Sequence, residues 1–206
     1  MNSPPAERPT LRDRQRAQVR ADIHAAAYRL FAARGFGNVT TDDIAAEASV
    51  SPRTFFRHVA TKEDLLLGAV QRGNAAITSL LARRPPEEAP DAALAGAIVS
   101  RVESFEEADL ENWRAAILTA PELLDRATLL SASDRDDMVA LVAGRMGTDP
   151  TDDSRPGLLV QLSFAAADFA FQRWVRESGR RRRPLASDVA EALGVVAHPR
   201  WSTSQP

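Results

Sequence analysis

Residues 40 to 66, TTDDIAAEASVSPRTFFRHVATKEDLL, restrict the fold more than any other stretch, because helix starts and stops crowd into it. Thr40 followed by Asp43 is a capping box, in which each side chain satisfies a free backbone amide of the other. Ile44, Ala45 and Ala48 give the ensuing helix one apolar side. The chain breaks at Ser49-Val50 and restarts at Ser51-Pro52, an N-cap hydroxyl ahead of a proline at the first helical position. The second helix, Pro52 to His58, sets Arg53, Thr54, Arg57 and His58 beside Phe55, Phe56 and Val59. Thr61 and Asp64 then open a third helix. Two short helices across a tight turn form the unit that lays its second helix in a DNA major groove. The pattern reads as DNA binding.

The flanking segments continue the helical pattern. Leu11 to Arg34 carries a stripe of Val19, Ile23, Ala26, Ala27, Leu30 and Phe31 at three- and four-residue steps, closed by Gly35. Lys62 to about Arg83 reads as one long helix burying Leu66, Ala69, Val70, Ile77, Leu80 and Leu81. Pro85-Pro86 stops it, and residues 87 to 90 lead into five further helices. These run from Asp91 to Ala108, Leu110 to Thr119, Pro121 to Met146, Pro156 to Ser178 and Ser187 to Ala197. No alternating run argues for a strand. The fold class is all-α.

Four elements in register, over about residues 16 to 70, resemble the DNA-binding domain of TetR-family transcriptional regulators. The matching residues are Ile23, Ala26, Ala27, Leu30, Phe31, Gly35-Phe36, Val39-Thr40-Thr41, Phe55-Phe56-Arg57-His58 and Thr61 to Leu66. Three positions depart from the family pattern. Ser49 stands where glycine is usual, Phe56 where tyrosine is common, and Val59 where phenylalanine is common. The Arg-Thr-Phe-Phe-Arg-His run and the Pro-Pro-Glu-Glu linker are also similar to a mycofactocin-type branch, which leans toward an acyl-thioester effector.

The resemblance implies an N-terminal three-helix helix-turn-helix domain over 11–84, with its helix-turn-helix at about 40–58. A C-terminal ligand-binding and dimerisation domain would span 91–197, between polar tails at 1–10 and 198–206. It further implies a homodimeric repressor on a palindromic double-stranded operator, released by a hydrophobic or amphipathic small molecule. Arg53 and Thr54, at the start of the recognition helix, are the candidates for base edges. Thr40, Thr41, Ser51, Arg57, His58 and Lys62 are the candidates for phosphates. Phe56 belongs to the same face but lacks a hydroxyl to reach a phosphate. Phe105, Trp113, Ile117, Phe164 and Phe169 are the candidate effector-pocket residues.

Charge supports the division. Residues 1–62 hold ten basic and six acidic side chains, a net of +4, whereas 63–206 hold sixteen and twenty-two, a net of −6. The basic part supplies the field that phosphate binding needs, and the acidic part would be repelled by DNA. There is no cysteine, which removes thiolate metal sites and cysteine nucleophiles. No metal or cofactor is expected: the histidines lack zinc spacing, and the acidic residues at 134–137 and 152–153 lack a calcium loop's glycine and terminal glutamate. With no membrane-spanning run and no secretory signal, a cytoplasmic protein is expected.

The helix from Pro156 to Ser178 is apolar nearly all round, so it needs cover on more than one face. A central core helix of a monomer would satisfy that, as would a dimer interface shared with the last helix. The TetR resemblance favours the dimer, with Phe171 and Val189 as positions where a charge would break it. Arg180 to Arg183 reads as a solvated loop between these helices. Two other functions stay open, an all-α enzyme and a helix-turn-helix protein adapter, although no paired acid–base or nucleophile constellation supports the enzyme.

Overall fold

The computed structural model describes residues 10–71, 73–124, 130, 132–177 and 183–198. The expectations for the tails, the four-arginine loop and the middle of the helix from Pro121 fall wholly or largely outside them. Among the described residues every regular element is helical, with no strand.

The first helix, α1, spans Leu11–Arg34. Thr10 and Asp13 form a capping box at its start, and Gly35 ends it at φ 82°, donating its N–H to Phe31 O at 2.8 Å. A side chain would strain that backbone, so glycine is the residue that fits. The helices α2 (Thr41–Glu47) and α3 (Pro52–His58) follow. Next come α4 (Asp64–Gln71) and α5 (Gly73–Arg83), in the stretch where one long helix is expected; residue 72 between them lies outside the described residues. Ile23, Phe31, Ile44, Phe55, Leu65 and Leu66 are fully buried and make the centre of this N-terminal unit.

The C-terminal unit comprises α6 (Pro90–Glu103), α7 (Glu107–Ile117), α8 (Pro121–Leu124), α9 (Ala132–Met146), α10 (Arg155–Arg176) and α11 (Leu185–Ala197). The expected helix Pro121 to Met146 is therefore represented by α8 and α9. At the start of α10 the Arg155 guanidinium holds the Asp153 carboxyl down to about 2. At its end Arg114 of α7, itself buried, donates to the backbone carbonyls of Trp174 and Glu177. Those carbonyls belong to a helix C-terminus, where a guanidinium satisfies acceptors that the helix leaves open.

The two units share one hydrophobic cluster that runs from Ile23 to Leu193. Helix α7 is the bridge. It lies along α1; Trp113 Nε1 donates to Leu66 O at 2.8 Å, and the Phe36 N–H donates to Thr119 Oγ1, just past the end of α7, at 3.0 Å. The segment after α5 is also held. Arg84 forms a bidentate pair with Glu88, and Arg145 of α9 donates to the carbonyls of Leu81, Arg84 and Pro85.

Candidate nucleic-acid interface

The turn between α2 and α3 is a complete Schellman motif. Ser49 N donates to Ala46 O at 3.0 Å and Val50 N to Ala45 O at 2.9 Å, with Ser49 at φ 54°. This is the one position among the described residues where a non-glycine side chain takes positive φ. The left-handed backbone costs roughly 1–2 kcal/mol for an L-residue, yet both hydrogen bonds are made. The turn into α3 therefore closes on both hydrogen bonds despite the missing glycine.

Helix α3 starts as its sequence requires. Ser51 Oγ accepts from Thr54 N at 3.1 Å and donates to Thr54 Oγ1 at 3.0 Å. Phe55 is fully buried and anchors the helix, while Arg53, Phe56 and Arg57 are exposed. Those three stand at i, i+3 and i+4, so they share one outward face. Phe56 is 55% exposed and packs edge-on against Phe55 at 5.3 Å between ring centroids. An apolar ring at such a place suits the methyl group of thymine. It has no hydroxyl with which a tyrosine would reach a phosphate.

The phosphate candidates divide. Thr40 and Asp43 form the expected capping box, and the hydrogen bonds from Thr40 hold the Asp43 carboxyl below its ordinary range. Thr41 is half-buried, Ser51 and Arg57 are exposed. His58 is half-buried with its Nε2 shielded and unbonded. Burial first, then Arg57, Arg20 and Arg16, push its pKa below the usual imidazole value. Arg16 and Arg20 thus belong to the same positive region. Sequence reasoning missed them, although arginines at i and i+4 on α1 were a visible signal.

Lys62 is placed differently from its expected phosphate role. Its Nζ donates to Phe36 O at 2.8 Å and Val39 O at 2.9 Å, and lies 4.2 Å from the centroid of the Phe36 ring. The ammonium ties the α1–α2 connection to the start of α4 inside the domain.

A cavity of about 860 Å³ opens between α1 and the helices α5, α6, α7, α10 and α11. Phe105, Trp113 and Phe164 line it as expected. Ile117 does not: one turn beyond Trp113 on α7, it is fully buried in the core. Phe169 does not either: at 66% exposure it faces outward from α10. The residues that α1 contributes to the wall, Ala17, Ala21 and Tyr28 among them, were not foreseen.

The sequence of the N-terminal unit matches the family described as bacterial regulatory proteins, tetR family, over residues 23–69. The MftR C-terminal domain matches over residues 74–200. The chain belongs to the TetR family of transcriptional regulators. The HTH-type transcriptional regulator TcmR of Streptomyces glaucescens is 30% identical, over 90% of this chain and 85% of that protein. MftR of Mycobacterium tuberculosis, named for mycofactocin biosynthesis, is 29% identical over 89% of each chain. Among solved TetR structures, the repressor FadR of Thermus thermophilus, in complex with lauroyl-CoA, superposes with a TM-score of 0.50 at 22% identity, covering 91% of this chain and 97% of that one. As a TetR-family member this chain is a regulator and not an enzyme. Among the described residues no helix is long and apolar enough to cross a membrane.

Proposed function

We propose that this TetR-family chain is a cytoplasmic homodimeric repressor that leaves a palindromic operator when a small molecule fills the cavity beside α1. The observation that carries the reading is the cavity's position: its walls come from α1 of the N-terminal unit and from the C-terminal helices together. A ligand there touches both units at once. Two recognition helices read successive major grooves only when they stand about one DNA turn, roughly 34–36 Å, apart. A ligand preferring another spacing lowers operator affinity by its differential affinity for the two states.

The dimer reading rests on the outer face of α10 and α11. Leu158, Leu162 and Phe169 are more than half exposed, and Ala165 continues their stripe. On α11, Ala190, Gly194 and Ala197 are exposed at the same helical spacing. Apolar surface of that extent on a bundle end calls for cover, and a second copy meeting it in a four-helix arrangement gives it. On the operator, Arg53 would pair with a guanine edge, Thr54 with a base, and Phe56 with a thymine methyl. Thr40, Thr41, Ser51, Arg57 and His58 would hold phosphates.

Footprinting on the DNA flanking the gene, together with sedimentation of the free protein, tests the whole reading. A protected palindrome and a dimer support it. A monomer at micromolar concentration refutes the dimer. An effector that tightens operator binding refutes repression by release.

A further inference from the structure

We propose that the effector is a planar aromatic anion: its ring system lies in the cavity between α1 and α7, and its acidic head pairs with Arg16 and Arg20. The inference rests on the effector reading above and gives it a ligand class.

The body of the ligand follows from the walls. Tyr28, Phe105, Trp113, Phe164 and Phe171 all reach the cavity. Trp113 and Phe171 stand 5.4 Å apart between ring centroids, at an interplanar angle of 40°. Aromatic faces and edges gathered around one space favour offset or edge-on contact with another ring. A volume of about 860 Å³ is within the range of drug-sized ligand sites. On α1, the helix that carries Tyr28, Ala17 and Ala21 present small side chains to the cavity, which leaves room for a flat body against the helix.

The head follows from the rim. Arg16 and Arg20 stand one turn apart on α1 and both line the cavity. Among the described residues no ion pair engages either guanidinium. Asp13 and Asp22 share the rim, but Asp13 accepts the Thr10 capping hydrogen bonds and Asp22 accepts from Gln18. Asp109 and Arg101 stand across the opening, with Arg101 laid over the Phe105 ring at 3.9 Å. Arg16 acts on the neighbouring Asp13 carboxyl across space, but neither guanidinium closes an ion pair among the described residues, so the two together are a forked site for a carboxylate or sulfonate. Their charge also reaches His58 at the end of α3. A bound anion therefore weakens the positive potential at the DNA-facing end of the molecule, where phosphate attraction is needed.

Three probes of one ring and different heads test this on the full-length protein: anthracene-9-carboxylate, 9-anthracenemethanol and 9-(aminomethyl)anthracene. Anthracene fluorescence and calorimetry report binding. The carboxylate should bind at least tenfold more tightly than either other probe. The double substitution R16Q/R20Q should remove that preference while the alcohol's affinity stays within about twofold. A21W, at an exposed position of α1, fills the cavity and should block all three probes. If the amine binds best, or if R16Q/R20Q leaves the carboxylate unaffected, the anion assignment is overturned while the cavity stands. If A21W, folded by circular dichroism, blocks none of them, the cavity itself is not the site and both readings fail.

Discussion

Trp113 donates its indole N–H to the Leu66 carbonyl at 2.8 Å, so one ring is both a wall of the cavity and a hydrogen-bonded contact of α4. Whatever displaces that ring pulls on the helix that follows the recognition unit. Trp113→Phe keeps an aromatic wall and removes the donor. It should cost about 1 kcal/mol of stability. Ligand binding should survive while the ligand's effect on operator affinity shrinks. Denaturant titration and operator titration with and without ligand read the two effects separately. Unaltered coupling in the variant would assign the transmission to another contact.

The face of α10 decides which substitutions dissociate the dimer. Phe171 and Val189, which the sequence offered as interface positions, are 8% and 2% exposed and belong to the protomer's own core. A charge at either should unfold the chain. Phe169→Glu and Leu162→Glu place the charge on the outward stripe instead and should yield folded monomers with much weaker DNA binding. Sedimentation and thermal melts separate the outcomes. A Phe169→Glu dimer of native strength would remove this face from the interface.

The N-terminal unit was legible because its signals are local. Caps at Thr40 and Ser51, and the Pro52 start, are decided by neighbours three residues away, so sequence and structure agree there to the residue. Thr61 and Asp64 also exchange hydrogen bonds, although α4 begins at Asp64 rather than at Lys62. The faces of α10 were not legible, because an all-round apolar helix does not say which side meets its own protomer. Phe169 went astray for that reason. Ile117 went astray because a pocket wall and a core position share one composition, and only the placement of α1 tells them apart. Lys62 reads as a phosphate contact by charge alone; the carbonyls of Phe36 and Val39 that claim it lie more than twenty residues away.

Ser49 offers a test of the turn. Its φ of 54° carries a left-handed penalty that glycine does not have, offset in part by the greater freedom glycine loses on folding. Ser49→Gly should therefore raise stability by about 0.5–1 kcal/mol, with operator affinity unchanged. Urea midpoints measure it. A destabilised variant would mean that the serine side chain makes a contact worth more than the strain.

His58 gives the domain a pH dependence of definite sign. Its folded pKa lies below the ordinary 6.5, from burial and then from Arg57, Arg20 and Arg16. The unfolded chain thus takes up the proton first as pH falls. Stability is fully present above about 6.5 and declines as pH drops from there through the lowered folded value. A phosphate beside the imidazole reverses the preference, so operator binding should take up a proton and weaken less than stability does. His58→Gln should flatten both profiles in the window that opens below about 6.5. A melting temperature that climbs as pH falls through this window, and does so only with His58 present, would contradict the assignment.

Arg53 and Lys62 should separate base reading from domain integrity. Arg53 is exposed at the start of α3, where a guanidinium can fork onto the acceptor edge of guanine. Arg53→Ala should cost about 1–3 kcal/mol in operator binding and relax preference at one position per half-site, with little change in stability. Lys62 is half-buried and donates to two carbonyls of the connection between α1 and α2. Its loss leaves those acceptors without a charged donor, so Lys62→Ala should lower stability by about 2 kcal/mol. Because the ammonium is held inside the domain, the salt dependence of DNA binding should keep its slope. A lysine on a phosphate would instead reduce that slope by about 1 per site. Titrations at several salt concentrations on operator and scrambled DNA, paired with urea melts, distinguish the roles. A reduced salt slope with native stability would return Lys62 to the phosphate backbone and place the start of α4 against the DNA.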